Sequence, residues 1–229
     1  LFWKRKKMTE KEFLEPPSRY KGTPFWAWNA KIEKEILKEQ IDCFKEMGMG
    51  GFCIHSRIGL DTEYLGREFM ELVKFCNTYG KKQNLSTWLY DEDKWPSGYG
   101  AGRVTDKEIY RSRYLLFSDK AYPDGAFIRG KTPPTRLVLS GKIQKLAEYI
   151  VKEENGILKE YRFLKKGSDQ VAEPEKCSEG GKIWHAYLVI SGDSSWFDKQ
   201  TYLDTLNPKA AEEFLRVTHE VYADSLEEE

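Results

Sequence analysis

The chain has 229 residues, 40% of them hydrophobic and 32% charged, which suits one globular domain or one domain carrying an insertion. Thirty-seven basic residues balance thirty-seven acidic ones, so no phosphate-neutralising surface is indicated and nucleic acid is excluded as a first reading. No apolar run approaches the roughly 18 residues that a membrane-spanning helix needs, so no membrane span is expected.

The opening stretch, Leu1 to Lys7, is basic, holds only two apolar residues and has no cleavable apolar core. It is not a signal peptide, and it reads as the start of a processed piece of something longer. An extracytoplasmic location, periplasmic or secreted, is left open.

From Pro24 to about Gly102 short apolar runs alternate with helical ones. Strands are predicted at Pro24–Asn29, Gly51–Arg57 and Leu85–Asp91, and helices at Glu33–Met47 and Arg67–Lys82. The first helix places Ile36, Ile41, Phe44 and Met47 toward one buried face, and Gly48 with Gly50 and Gly51 ends it. Strands alternating with helices of this length read as crossover units on a parallel sheet.

The texture then changes to short β-like runs: Tyr114–Phe117, Ala126–Ile128, Arg136–Leu139, Leu158–Leu164 and Ile183–Ile190. Asn155-Gly156 is the best hairpin signal among the turns between them. Residues 109–196 therefore read as a β-rich insertion between the third and fourth strands. After it Thr201–Leu206 is predicted as the fourth strand, and Asn207-Pro208 opens a helix running through Ala210 to Tyr222. The organisation expected is 1–108 for three βα units, 109–196 for the insertion and 197–229 for the fourth unit. Four units make either an open α/β layer or part of a (β/α)8 TIM-type barrel.

Residues at the carboxyl ends of parallel strands line the site in such folds. Here those ends carry Trp26, Trp28 and Asn29; His55 and Arg57; Asp91, Glu92, Asp93 and Trp95; and Asp204 with Asn207. Polar β-to-α loops and helix caps account for some of these, Asn207 and Asp61 above all. In an extended chain Asp91 and Asp93 point the same way with Cα atoms roughly 6.5 Å apart, and Glu92 points oppositely. Clustered carboxylates raise one another's pKa for general acid work or collect a cation. The alternative is an exposed acidic turn offset by Lys94 and Arg103. An isolated His at the end of an apolar strand is commonly a core residue, whereas His55 with Arg57 beside it suits a hydroxyl-rich or anionic ligand. His185 and His219 read as structural. The four cysteines, Cys43, Cys53, Cys76 and Cys177, form no CxxC pair and read as buried free thiols.

Pro16-Pro17, Pro24–Asn29, Gly48–Arg57 with Gly59-Leu60, Trp88–Gly98 and Tyr202–Pro208 together resemble the amino-terminal part of the catalytic barrel in α-L-rhamnosidase-like glycoside hydrolases, family 106 and its uncharacterised relatives. The resemblance covers about Phe13 to Gly102 and Trp196 to Tyr222. It implies a partial or complete (β/α)8 barrel whose remainder lies outside this chain or is supplied by a homo-oligomer partner. It also implies hydrolysis of glycosidic bonds in an oligosaccharide or polysaccharide by inversion, with calcium as the associated cation. It places sugar contacts on Trp26, Trp28, Asn29, His55, Arg57 and the loop that carries Glu92 and Trp95, and leaves open an acid and base pair on later strands beyond residue 229; the strand-end reading itself makes Asp91 and Asp93 the catalytic candidates and adds Asp204 to the sugar contacts. Two other readings stand beside it: a non-catalytic carbohydrate-binding module, and a metal-dependent barrel hydrolase using His55 with the acidic loop.

Overall fold

A computed structural model describes residues 9–94, 97–132, 137–166, 181–193 and 201–226. The chain divides into two compact units, residues 1–101 with 214–229, and residues 102–213.

The first unit is built on a parallel sheet of β1 (Phe25–Trp28), β2 (Gly51–Ser56) and β3 (Ser86–Asp93), in that order. Ahead of it lies a short helix α1 (Glu10–Leu14), closed by a Thr9–Glu12 capping box. Helices α2 (Lys34–Glu46) and α3 (Arg67–Lys82) connect the strands. The core lies on the helix side of the sheet, where Trp26, Trp28, Phe52 and Ile54 meet Leu37 and Ile41 of α2 and Phe69 and Val73 of α3. The buried stripe of α2 is Leu37, Ile41 and Phe44. Ile36 and Met47, expected on that face, are exposed, because Met47 already sits at the helix C-cap and Ile36 is turned outward. Gly51 belongs to a close approach of strands: a Cβ there would lie 2.2 Å from the Ser86 carbonyl oxygen.

Two further helices, α4 (Pro208–Val217) and α5 (His219–Leu226), close the chain. The single helix expected there is interrupted at Thr218, whose amide and hydroxyl both donate to the Phe214 carbonyl, at 3.1 and 2.6 Å. In α5, Tyr222 is buried in the same core as the sheet.

The second unit carries an antiparallel sheet: β4 (Arg113–Ser118), β5 (Phe127–Thr132), β6 (Leu137–Glu154), β7 (Ile157–Lys166) and β8 (Lys182–Ser191). The strand order is β4-β8-β6-β5, with β7 on the other half of the long β6. Asn155 and Gly156 join β6 to β7 with φ of 54° and 78°, the two positive angles that a type I′ hairpin turn requires. Ile143, Tyr187 and Val189 form the buried centre of this sheet.

The barrel expectation is corrected by this topology. Among the described residues, three parallel strands and a five-stranded antiparallel sheet do not make a (β/α)8 arrangement, whole or partial. The expected fourth strand, Thr201–Leu206, makes one antiparallel bridge, Leu203 to Arg111. Its chain turns instead of extending, because the Asp204 carboxylate accepts the Leu206 amide and the Asp204 carbonyl accepts that of Asn207.

Candidate functional site at the ends of β2 and β3

The site grows from an irregularity in the sheet. Pairing runs regularly to Ile54 and Leu89, but Ser56 then faces Asp93, so β3 gains two residues against β2. A bulge of this kind re-aims the side chains beyond it. The Ser56 hydroxyl donates to Asp93 Oδ1 at 2.6 Å, and Lys94 Nζ lies 3.3 Å from Asp93 Oδ2. One residue pair to the side, Ser97 Oγ donates to Asp91 Oδ1 at 2.5 Å, and His219 Nε2 sits 3.0 Å from Asp91 Oδ2. The side chains of Asp91 and Asp93 are 34% and 15% exposed, so both carboxylates are reachable from solvent while held in place.

Between them Glu92 faces inward and is fully buried. Its two oxygens accept five backbone N–H bonds at 2.8–2.9 Å, from Asp93, Gly98, Tyr99, Gly100 and Ala101. The loop wraps around the carboxylate by left-handed residues, Lys94, Gly98, Gly100 and Ala101, which bring successive amides to one point. Burial pushes the Glu92 carboxyl above its ordinary range, and the amides of Gly100, Ala101, Gly98 and Asp93 oppose that shift. All five partners are donors, the arrangement an ionised carboxylate needs. The Tyr99 hydroxyl adds a short bond to the Asp93 carbonyl. Glu92 is thus the organiser of the loop, and the expectation that it touches a sugar is corrected.

His55 is also fully buried, on the sheet face opposite the helices, between the rings of Phe25 and Tyr90, each with its centroid 4.2 Å away. The Lys94 backbone is the polar group that faces the ring. Burial holds the imidazole below its ordinary range, Arg57 adds to that effect, and the Lys94 backbone and Asp93 oppose it. A fully buried imidazole offers no atom to solvent, although it lies directly beneath the acidic loop.

The remaining expectations divide clearly. Trp26 and Trp28 are corrected: both rings lie in the core, edge-on to one another at 5.7 Å, because their parity on β1 turns them toward the helices. Trp26 Nε1 donates to Gln40 there at 2.7 Å. The aromatic residues that do face outward are Phe25 and Trp88, 58% and 61% exposed, on the opposite parity of β1 and β3. Asn29 and Arg57 are exposed on the loops after β1 and β2. Asp204 belongs to the second unit, where its carboxylate caps its own turn. Trp95 lies outside the described residues.

Sequence reading missed Ser56 and Ser97, which adjoin motif residues; it named Lys94 as a charge offset, which its 3.3 Å approach to Asp93 matches, and read His219 as structural, because a separation of 128 positions from Asp91 leaves no local signal.

The donor set does not suit a calcium ion, which takes six to eight oxygens. Both Glu92 oxygens are saturated by amides, and those of Asp91 and Asp93 are each engaged by a hydroxyl and a basic side chain. Among the described residues no group of three or more His, Cys, Asp or Glu side chains is placed to hold a metal. Nor is any helix among them long and apolar enough to cross a membrane.

No protein-family model matches the chain, and no curated protein matches it. Among solved structures it is similar to a rhamnosidase from Novosphingobium sp. PP1Y, with a TM-score of 0.57 and 12% identity. That match covers 95% of this chain and 38% of the other, so the chain spans well under half of the rhamnosidase. At this identity the likeness is one of fold.

Proposed function

We propose that this chain belongs to a carbohydrate-active protein of the rhamnosidase-like glycoside hydrolase type, with its ligand end at the carboxyl ends of β2 and β3. The observation that carries the reading is the pair of partly exposed carboxylates on one strand end, Asp91 and Asp93. Each is fixed by a serine hydroxyl over a loop that Glu92 locks from beneath. Cleaving an acetal requires proton transfer to the leaving oxygen and away from attacking water, and positioned carboxylates supply it. The fold shared with part of a rhamnosidase supports the same class.

The test is hydrolysis of an aryl α-L-rhamnoside. Asp91→Asn and Asp93→Asn are each expected to lower kcat/KM by about 100-fold or more, with the thermal midpoint close to that of the parent. A parent without turnover, or Asp variants at the parent rate, defeats the assignment.

The exposed rings of Phe25 and Trp88 favour a second reading, glycan binding without turnover. On that reading calorimetry with rhamnose-containing oligosaccharides shows binding with no products, and Trp88→Ala weakens it by about 1–3 kcal/mol.

A further inference from the structure

We infer that His219 is the ligand-facing group of this site and that Asp91 is its positioning residue. The inference rests on the carbohydrate reading above and deepens it.

Asp91 ends β3 and His219 opens α5, both within the same compact unit. The carboxylate is fixed through Oδ1 by the Ser97 hydroxyl, which leaves Oδ2 directed at the imidazole 3.0 Å away. An ionised carboxylate only accepts, so the proton of a neutral imidazole must sit on Nε2. Nδ1 is then a bare acceptor. The ring is half exposed, and no second hydrogen bond reaches it among the described residues.

Its position is set by packing. Thr218, which separates α4 from α5, precedes His219, the Phe214 ring lies 5.9 Å from the imidazole, and Tyr222 anchors α5 by donating to the Tyr90 carbonyl at 3.3 Å. A free surface imidazole samples both tautomers and many rotamers, whereas this one presents a single oriented acceptor. A hydroxyl is the donor that such an acceptor takes without competing charge, and a sugar supplies several. A carboxylate oxygen accepts more than one hydrogen bond and Asp91 is 34% exposed, so its positioning of His219 is additional to the proton-transfer role proposed above.

The test is nitrogen NMR on the chain with 15N-labelled histidine, together with L-rhamnose titration. The expected result is a pure Nε2–H tautomer for His219, mixed in Asp91→Asn. Rhamnose should shift its Nδ1 resonance and leave His185 unmoved. His219→Gln should weaken rhamnose binding about tenfold, the loss of one hydrogen bond, at an unchanged thermal midpoint. If rhamnose binds while Nδ1 stays silent and His219→Gln keeps the parent affinity, the dyad is overturned and the carbohydrate reading stands. If the parent tautomer does not depend on Asp91, the dyad is likewise overturned. If rhamnose moves no resonance and no rhamnoside is hydrolysed, both fall together.

Discussion

Glu92 shows how much one side chain organises here. Five amides converge on it, so Glu92→Gln replaces an acceptor oxygen with a donor group that faces other donors. Such a change is expected to cost about 2–3 kcal/mol, seen as a lower urea midpoint at unchanged m-value. His55 gives a pH dependence. Its imidazole is held below the ordinary value of 6.5 by burial, so as pH falls through 6.5 the unfolded chain takes up a proton that the folded chain refuses. Its contribution is therefore present above that pH and shrinks on acidification toward the folded value. His55→Phe keeps an aromatic ring between Phe25 and Tyr90 and removes the titrating nitrogens. The variant should lose less stability than the parent between pH 7.5 and 5.5, by urea denaturation. An equal loss in both proteins assigns the acid sensitivity elsewhere. The acidic loop was legible in the sequence as a cluster, but not the division of labour inside it. That division depends on the two-residue shift of β3 against β2, which no local pattern announces.

Among elements, the strands and helices of the first unit follow their expected places closely, α3 to the residue and the three strands to within two. Their signals are local: apolar runs, helical spacing and glycine stops. The glycine stop before β2 has a second role. At Gly51 a Cβ would meet the Ser86 carbonyl at 2.2 Å, so Gly51→Ala should force β2 away from β3 and destabilise the protein by about 3 kcal/mol. The midpoint of thermal unfolding reads this directly, and an unchanged midpoint means that the strands separate without cost. Element faces were less legible than element spans. Period-2 alternation in β1 separates Phe25 and Ala27 from Trp26 and Trp28 but does not say which pair meets the helices. The larger rings went inward, so the aromatic groups expected at the ligand became the core.

For the molecule as a whole, aromatic residues make up 14% of the chain and both units draw on them. Trp26, Trp28, Phe44 and Phe52 pack together in the first, and Phe117, Trp184, Tyr149 and Phe163 form a row across β4, β8, β6 and β7 in the second. With zero net charge and an isoelectric point near 7.0, nothing repels one copy from another at neutral pH while Phe25 and Trp88 stand exposed. Light scattering should accordingly be highest near pH 7 and fall by pH 9, and Trp88→Ser should lower it at pH 7. A flat profile would show that neither net charge nor this face governs association.

The sequence by itself determined the existence and order of most elements, the Asn155-Gly156 hairpin and the acidic loop, because each depends on residues within a few positions of one another. Only the tertiary structure decided that Thr201–Leu206 leaves the parallel sheet, that Glu92 turns inward and that Asp91 meets His219. Those outcomes rest on partners far apart in the chain, on strand parity relative to the helices and on a bulge. All three are properties of packing that local periodicity does not carry.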